Sequence, residues 1–219
     1  MLEIRLLGQF AIQLDGNPIQ MAARPAQSLF AYLLLNAGIA QRRERLAGLL
    51  WPDSNEASAR RNLRQALWQI RRALGSRSDA LLLVDELTIT VNAQADYHLD
   101  TATLARQDEK ASSVEVLMAT LAGYAGDLLP GFYEDWVVLE RERLQTVFEH
   151  KMNLLLDILV KTGRWHDVLL WAEHWIALGH TPEPAYRALM QAHAVQGDMS
   201  NVAEVYRRSE EHTSELQSQ

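Results

Sequence analysis

Arginines are concentrated in one short segment of the chain, and their spacing points to a chemistry. The five are Arg60, Arg61, Arg64, Arg71 and Arg72, and no acidic residue lies between Ala57 and Gly75. A helix surface that meets only water usually alternates its charges, because like charges four residues apart repel. A guanidinium group forms two parallel hydrogen bonds with a phosphate or with the O6 and N7 atoms of guanine. The segment therefore predicts a surface that binds an external anion, and a DNA duplex fits this requirement.

The apolar residues of the same segment predict how its side chains are arranged. If residues 54–74 form an α-helix, Leu67, Ile70 and Leu74 lie within about 40° of Leu63 around the helix axis. This stripe predicts one buried face. The other faces carry the residues predicted to contact DNA, which are Arg60, Arg61, Arg64, Gln65, Arg71 and Arg72. In the major groove arginine reads guanine and glutamine reads adenine, and the remaining arginines bind phosphates. Trp68 lies on this side too, where it either contacts DNA or packs against a neighbouring hairpin or domain.

Charge is distributed unevenly along the chain. The net charge of −7 taken alone argues against a nucleic-acid partner. However, residues 1–77 contain 11 arginines and 5 acidic residues, whereas residues 78–219 contain 10 basic and 23 acidic residues. This split predicts one module that meets an anion and another that does not. It also leaves an alternative, in which the arginine-rich face pairs with the acidic second half.

Length and composition restrict the class of protein. A chain of 219 residues, 48% of them hydrophobic, forms one large domain or two small ones. It contains no cysteine, and no apolar run approaches the roughly 20 residues that span a bilayer. Glu3 and Arg5 lie within the first residues, which excludes a signal peptide. We therefore expect a cytoplasmic protein with no membrane partner.

The elements predicted around the arginine-rich helix follow the order of a winged helix. The third helix is predicted to begin with Asp53 as its cap, with Glu56 completing a capping box, and to stop at Gly75. The preceding strands are predicted at Leu2–Leu7, Phe10–Leu14 and Ile19–Met21, and the preceding helices at about 25–36 and 42–51.

A β-hairpin is predicted after the third helix. Residues 81–84 and 87–91 flank Asp85-Glu86, which reads as a two-residue turn. A winged helix requires this hairpin, the wing, to pair with the first strands. The acidic tip is a poor phosphate ligand, so we assign the backbone contact to Thr88. Arg42 and Arg43 on the second helix either add phosphate contacts or are simply solvated.

The second half of the chain is predicted to be entirely helical. Helices are expected at about 101–109, 113–124, 134–161, 165–178, 183–196 and 199–207. The sequence beginning at Gly163 recurs at Gly197, an offset of 34 residues that is the period of tetratricopeptide repeats. The fold class predicted is thus mainly α with a small β part. A winged-helix DNA-binding domain spans residues 1–97, and a tetratricopeptide-like bundle spans residues 98–207.

Two stretches carry a family resemblance. The sequence LEIRLLGQFAIQLDGNPI, followed by LLWPDSNEASARRNLRQALWQIRRALG, closely resembles the DNA-binding domain of the SARP-type regulators, whose winged helix is of the OmpR type. The stretches GDLLPGFYEDWVVLERERLQ and PEPAYRALMQAHAVQGD resemble the bacterial transcriptional activator domain that follows it. Together they cover about residues 2–207.

The resemblance implies a transcriptional activator. Members of the family bind direct-repeat operators in double-stranded DNA near a promoter, usually as homodimers, and recruit RNA polymerase. By position in the motif, the DNA-facing set is Arg61, Arg64, Gln65, Arg71 and Arg72. The resemblance also implies dimer and polymerase contacts in the second domain, where Trp136, Arg141 and Arg143 serve either these contacts or packing.

The last residues, 208–219, are predicted to be foreign to the protein. Arg208–Ser218 reads as the translation of a common sequencing-library adapter, and the segment is polar and aperiodic. We expect the natural gene to continue differently after Arg207, where this family sometimes carries an ATPase and further repeats.

Enzyme chemistry finds no support in the sequence. Phosphate-binding loops, nucleophile elbows and HExxH motifs are absent. His166 and His174 are eight residues apart, which is not the spacing of a helical zinc site. We expect no cofactor and no metal. The alternative function is a helical-repeat scaffold whose basic module binds acidic protein or RNA.

Overall fold

The computed structural model describes the backbone of residues 1–106, 113–179 and 182–217, and side chains in these ranges as far as Glu211. The chain is mainly helical with a small β part, as predicted. It divides into two compact units. Unit 1 contains Met1–Ala105 and Asp127–Glu142, and unit 2 contains Arg106–Gly126 and the chain from Arg143 onward.

The helices and strands have the following bounds. The strands are β1 (Leu2–Arg5), β2 (Ala11–Leu14), β3 (Asn17–Pro18), β4 (Gln41–Arg42), β5 (Leu82–Val84), β6 (Thr88–Val91) and β7 (Tyr97–Leu99). The helices of unit 1 are α1 (Arg24–Leu35), α2 (Arg43–Leu50), α3 (Glu56–Leu74), α4 (Ser78–Leu81) and α5 (Asp100–Ala105). Those of unit 2 are α6 (Val114–Ala122), α8 (Trp165–Ala177), α9 (Glu183–Val195) and α10 (Met199–Gln217), while α7 (Asp135–Lys161) begins in unit 1 and continues into unit 2.

The first sheet has the strand order β3-β2-β1-β7. The predicted third strand at Ile19–Met21 is wrong, because the strand lies earlier, at Asn17–Pro18. Asp15 and Gly16 have φ angles of 50° and 81°, so two residues suffice for the turn and the strand restarts at Asn17. Strand β7 was not predicted, and it pairs in parallel with β1.

The hairpin forms, but it does not pair with the first strands. Strands β5 and β6 belong to a separate sheet of order β4-β6-β5, in which Arg42 lies opposite Thr88. The predicted pairing is wrong because β2 and β7 occupy the two edges of β1. The turn is also one residue later than predicted. Asp85 N–H donates to the Thr88 carbonyl at 3.1 Å, which leaves Glu86 and Leu87 at the tip.

Helix α3 is held by the predicted apolar stripe. Leu63, Leu67 and Leu74 are buried, and Ile70 has no exposed surface. The cap is Asn55 and not Asp53, because the helix begins at Glu56 and the residue directly before it accepts from the Ser58 N–H at 2.9 Å. The predicted stop is confirmed, since Gly75 ends the helix with a φ angle of 56°.

Unit 1 includes a segment that lies far from its other residues in sequence. Residues 127–142 contact α1, where Ser28 donates to Glu134 at 2.9 Å and the Tyr32 and Trp136 rings meet edge to face at 5.2 Å. The Arg141 guanidinium donates to the carbonyls of Leu128, Leu129 and Phe132, at 3.0, 3.1 and 3.1 Å. These contacts favour the packing role for Trp136 and Arg141, whereas Arg143 is exposed on α7.

Unit 2 repeats one turn at the predicted offset of 34 residues. Gly163 and Gly197 end the α7–α8 and α9–α10 turns with φ angles of 69° and 76°. Arg164 N–H donates to the Leu159 carbonyl, and Asp198 N–H donates to the His193 carbonyl, each at 2.9 Å. The same bond thus recurs after 34 residues, as expected of a sequence that repeats with this period.

Several helix ends differ from their predicted positions. Helix α5 begins at Asp100, and residues 107–109 of its predicted span lie outside the described residues. The predicted end at residue 207 is wrong for α10, which continues to Gln217 because no glycine or proline follows Gly197. Arg208 also pairs with Glu173 at 3.0 Å. The adapter origin of residues 208–219 stays a prediction. Among the described helices, none combines the length and the apolar composition needed to cross a membrane.

Candidate nucleic-acid interface

Helix α3 turns its charged side to solvent. All six residues predicted to contact DNA on this helix are exposed, namely Arg60, Arg61, Arg64, Gln65, Arg71 and Arg72. The buried stripe lies on the other side and packs against α1 and α2. Because the core fixes the rotation of the helix about its axis, it also fixes which side chains face outward. The periodicity predicted this face correctly.

The arginines of this face differ in how they are paired. Arg60 lies 3.2 Å from Glu44 and also contacts Glu56. Among the described residues, Arg61 donates a side-chain hydrogen bond only to the Ser58 hydroxyl, at 3.4 Å. Within the described residues, Arg61, Arg64, Arg71 and Arg72 have no carboxylate within ion-pair distance. The face therefore carries four unneutralised positive charges.

A cleft beside α3 gathers arginines from three elements. It has a volume of about 390 Å³ and is lined by Arg42, Arg43, Glu44, Arg60, Leu63, Arg64, Glu86 and Leu87. Its arginines come from β4, α2 and α3, and the hairpin tip forms the remaining wall. The Nε atom of Arg43 is buried there without a hydrogen-bond partner among the described residues. The four arginines of the lining outnumber its two glutamates, so the cleft has a net positive charge.

The hairpin brings Thr88 to this region but uses its hydroxyl internally. Thr88 Oγ1 donates to Asp85 at 2.7 Å, and the Thr88 and Leu87 N–H groups donate to the same carboxylate at 2.7 Å. These three hydrogen bonds lower the pKa of Asp85 below its ordinary value, and the bond from the Thr88 hydroxyl contributes most. In this arrangement the hydroxyl hydrogen of Thr88 is already donated, so only its oxygen lone pairs remain to meet a ligand.

Trp68 is a large apolar side chain on the charged face of α3. Its side chain is 57% exposed, so it is not a packing residue of the wing. The Arg72 guanidinium carbon lies 5.2 Å from the indole centroid, which is a cation–π contact. The sequence predicted the position of Trp68 but not this pairing.

The sequence did not predict two parts of this region. Glu44 on α2 neutralises Arg60, and the pairing depends on how α2 and α3 pack. Strand β4 is only two residues long and carries Arg42 beside the hairpin, a length too short for any periodic signal. Among the described residues, no three histidine or acidic side chains are grouped closely enough to hold a metal ion.

Comparison with protein-family models identifies the family to which this chain belongs. The model of the bacterial transcriptional activator domain family matches residues 91–216, which is more than half of the chain. No curated protein sequence matches the chain.

A solved structure has the same fold. The structure of Mycobacterium tuberculosis EmbR in complex with a low affinity phosphopeptide matches 95% of this chain with a TM-score of 0.72 and 19% sequence identity. The chain spans 58% of the length of that structure. At this identity the similarity shows the fold alone, and it confirms the predicted fold class.

Proposed function

Because the chain belongs to the bacterial transcriptional activator domain family, we propose that it is a sequence-specific DNA-binding activator of transcription. The family membership was predicted from the sequence through the resemblance to SARP-type regulators. In the proposed function, α3 lies in the major groove of a duplex and presents its exposed arginines to base edges and phosphates. The helical repeats of unit 2 serve assembly and recruitment.

One observation carries the proposal. Arg61, Arg64, Arg71 and Arg72 are exposed on one helix, and none has a carboxylate partner among the described residues. Four such charges repel one another, and this cost is tolerated where a polyanion neutralises them. An α-helix has the width of the DNA major groove, and exposed Gln65 adds a side chain that pairs with adenine.

The surroundings of α3 supply phosphate ligands. In our proposal a backbone phosphate enters the cleft between α2, α3 and the hairpin, where Arg42 and Arg43 attract it. Arg60 contributes least, because Glu44 and Glu56 already neutralise it. Thr88 can donate to the backbone only after its bond to Asp85 opens, because the phosphate and sugar oxygens of DNA accept hydrogen bonds and donate none.

Partners beyond DNA follow from the family. We propose that two copies bind a direct-repeat operator and that the protein recruits RNA polymerase. A direct repeat places the two copies in the same orientation, so their contact joins different surfaces of the two chains. Duplexes with one or two half-sites, analysed by sedimentation with the full chain, distinguish one bound copy from two.

Selection from a pool of randomised duplexes tests the proposal. The full chain should enrich a defined sequence, and its affinity should fall with salt at a slope near −0.9 per phosphate contact, or about −4 to −5 for each bound copy if it makes about five such contacts. Arg64→Ala and Arg72→Ala should each weaken binding by about 1–3 kcal/mol. Arg5→Ala is a matched control, because Arg5 is exposed on β1 in the other sheet and pairs with Glu3 at 3.7 Å.

RNA and acidic proteins are the competing partners. Double-stranded RNA has a deep, narrow major groove that excludes a helix, so it should compete poorly for the selected duplex. Wild-type affinity in both arginine variants would contradict the role of α3. Preferred binding to RNA, or no enrichment of any duplex, would contradict the proposed function itself.

A further inference from the structure

Trp68 is an exposed indole on a helix whose other exposed residues, apart from Ala57, carry charged or amide side chains. All six tryptophans lie in the described part of the chain, and Trp68 is the one that is exposed, at 57%. Large aromatic side chains are normally buried, since their burial contributes most of the favourable energy of cores and interfaces. A single exposed apolar side chain is common on protein surfaces, so the neighbours of Trp68 must indicate whether a partner covers it.

The neighbours of Trp68 identify that partner. On a helix the surface neighbours of a residue lie three and four positions away. For Trp68 these positions hold Arg64, Gln65, Arg71 and Arg72, all of them exposed and all of them in the predicted DNA-facing set. Trp68 is therefore the centre of the face, and a duplex that contacts these four residues must also cover the indole.

We propose that Trp68 is a specificity-determining residue of the DNA interface, whose indole edge contacts the 5-methyl group of a thymine while its ring face holds the Arg72 guanidinium. This inference rests on the proposed function. The thymine methyl is the apolar group that base pairs present in the major groove, so it is the group that an apolar side chain recognises there. The observed stacking at 5.2 Å restricts Arg72 to fewer orientations before DNA arrives.

Salt dependence separates this role from that of the arginines. A phosphate contact releases counterions, so its loss makes the salt slope shallower by about one. An apolar contact releases none. Trp68→Ala should therefore weaken binding to the selected duplex about tenfold or more without changing the salt slope. Trp68→Phe should retain part of the affinity, because it keeps an aromatic face.

Uracil in place of thymine tests the contact itself, because uracil lacks only the methyl group. Each thymine of the selected duplex is replaced in turn, and the affinity is measured for wild type and Trp68→Ala. One replacement should weaken the wild type several-fold and leave Trp68→Ala unchanged. If every replacement affects both proteins equally, or if Trp68→Ala binds like wild type, the inference is wrong. Far-ultraviolet circular dichroism checks that the variant is folded.

Failure of the inference is distinguishable from failure of the proposed function. If the wild type enriches no duplex, the proposed function fails. If Arg64→Ala weakens binding and Trp68→Ala does not, only the role of Trp68 fails. Acrylamide quenching gives a second readout, since DNA should protect a part of the fluorescence that is present in wild type and absent in Trp68→Phe. Quenching that DNA leaves unchanged would also overturn the inference.

Discussion

Removing the Arg141 guanidinium should destabilise unit 1. This group donates three hydrogen bonds to backbone carbonyls of Leu128, Leu129 and Phe132, and it is half-buried. A hydrogen bond to a charged group contributes about 1.5–3 kcal/mol. The three bonds share one side chain and are partly solvated, so their loss is less than additive. We expect Arg141→Ala to lower the free energy of unfolding by about 2–4 kcal/mol.

Urea unfolding of the full chain measures this change. Because the chain has two compact units, two transitions are expected, and the substitution should shift that of unit 1. Tryptophan fluorescence reports on unit 1 through Trp136, which lies in the same segment as Arg141 and packs on Tyr32 of α1. Arg141→Lys keeps the charge but has all its donors on one nitrogen, whereas the arginine donates from both Nε and Nη2, so the loss of stability should be intermediate. Arg5→Ala, which removes an exposed arginine from the same unit, should cost less than about 1 kcal/mol.

The result also decides between the two roles that the sequence left open for Arg141. If Arg141→Ala unfolds within about 0.5 kcal/mol of wild type but activates transcription poorly, Arg141 is a partner-contact residue and the structural reasoning is refuted. A loss of stability that Arg141→Lys partly restores supports the role derived from the three carbonyl contacts.

The cap of α3, its buried core and the hairpin turn can each be tested by a stability or titration measurement. Asn55→Ala should destabilise α3 by about 1 kcal/mol in urea unfolding, because it removes the cap. Asp53→Ala should change the stability by no more than about 0.5 kcal/mol. The reverse order would show that the cap is misassigned. Ile70→Ala should cost about 2–5 kcal/mol in the same measurement because Ile70 is fully buried, and a smaller loss would mean that α3 is loosely packed. The lowered pKa of Asp85 means that the hairpin turn is stabilised at neutral pH and that this contribution is lost as the pH falls through the folded-state pKa. A carboxyl signal of Asp85 that titrates by NMR at or above its ordinary pKa would contradict the hydrogen bonds to its turn.

The DNA-facing side of α3 could be predicted because all of its signals are local. The spacing of Leu63, Leu67, Ile70 and Leu74 fixes one face of a helix, and the arginines between them must occupy the others. The cap was assigned two residues too early because the motif at Asp53 matches a capping box as well as Asn55 matches a simple cap.

The sheet pairings could not be predicted, because their signals are not local. Strand β4 has two residues and β7 has three, so neither shows an alternating pattern, yet together they decide which strands the hairpin and β1 pair with. No pattern in the sequence predicts that residues 127–142 belong to unit 1. It depends on Glu134 and Trp136 meeting Ser28 and Tyr32 about a hundred positions away.

Methylation interference on the selected duplex tests most directly whether α3 binds in the major groove. Dimethyl sulfate methylates guanine N7 in the major groove and adenine N3 in the minor groove, so the two grooves are probed in one reaction. We predict that methylation of specific guanines blocks binding of the wild-type chain, and that Arg64→Ala or Arg72→Ala removes the interference at one of them. Interference confined to adenines, or a guanine pattern that neither substitution alters, would contradict the role assigned to this helix.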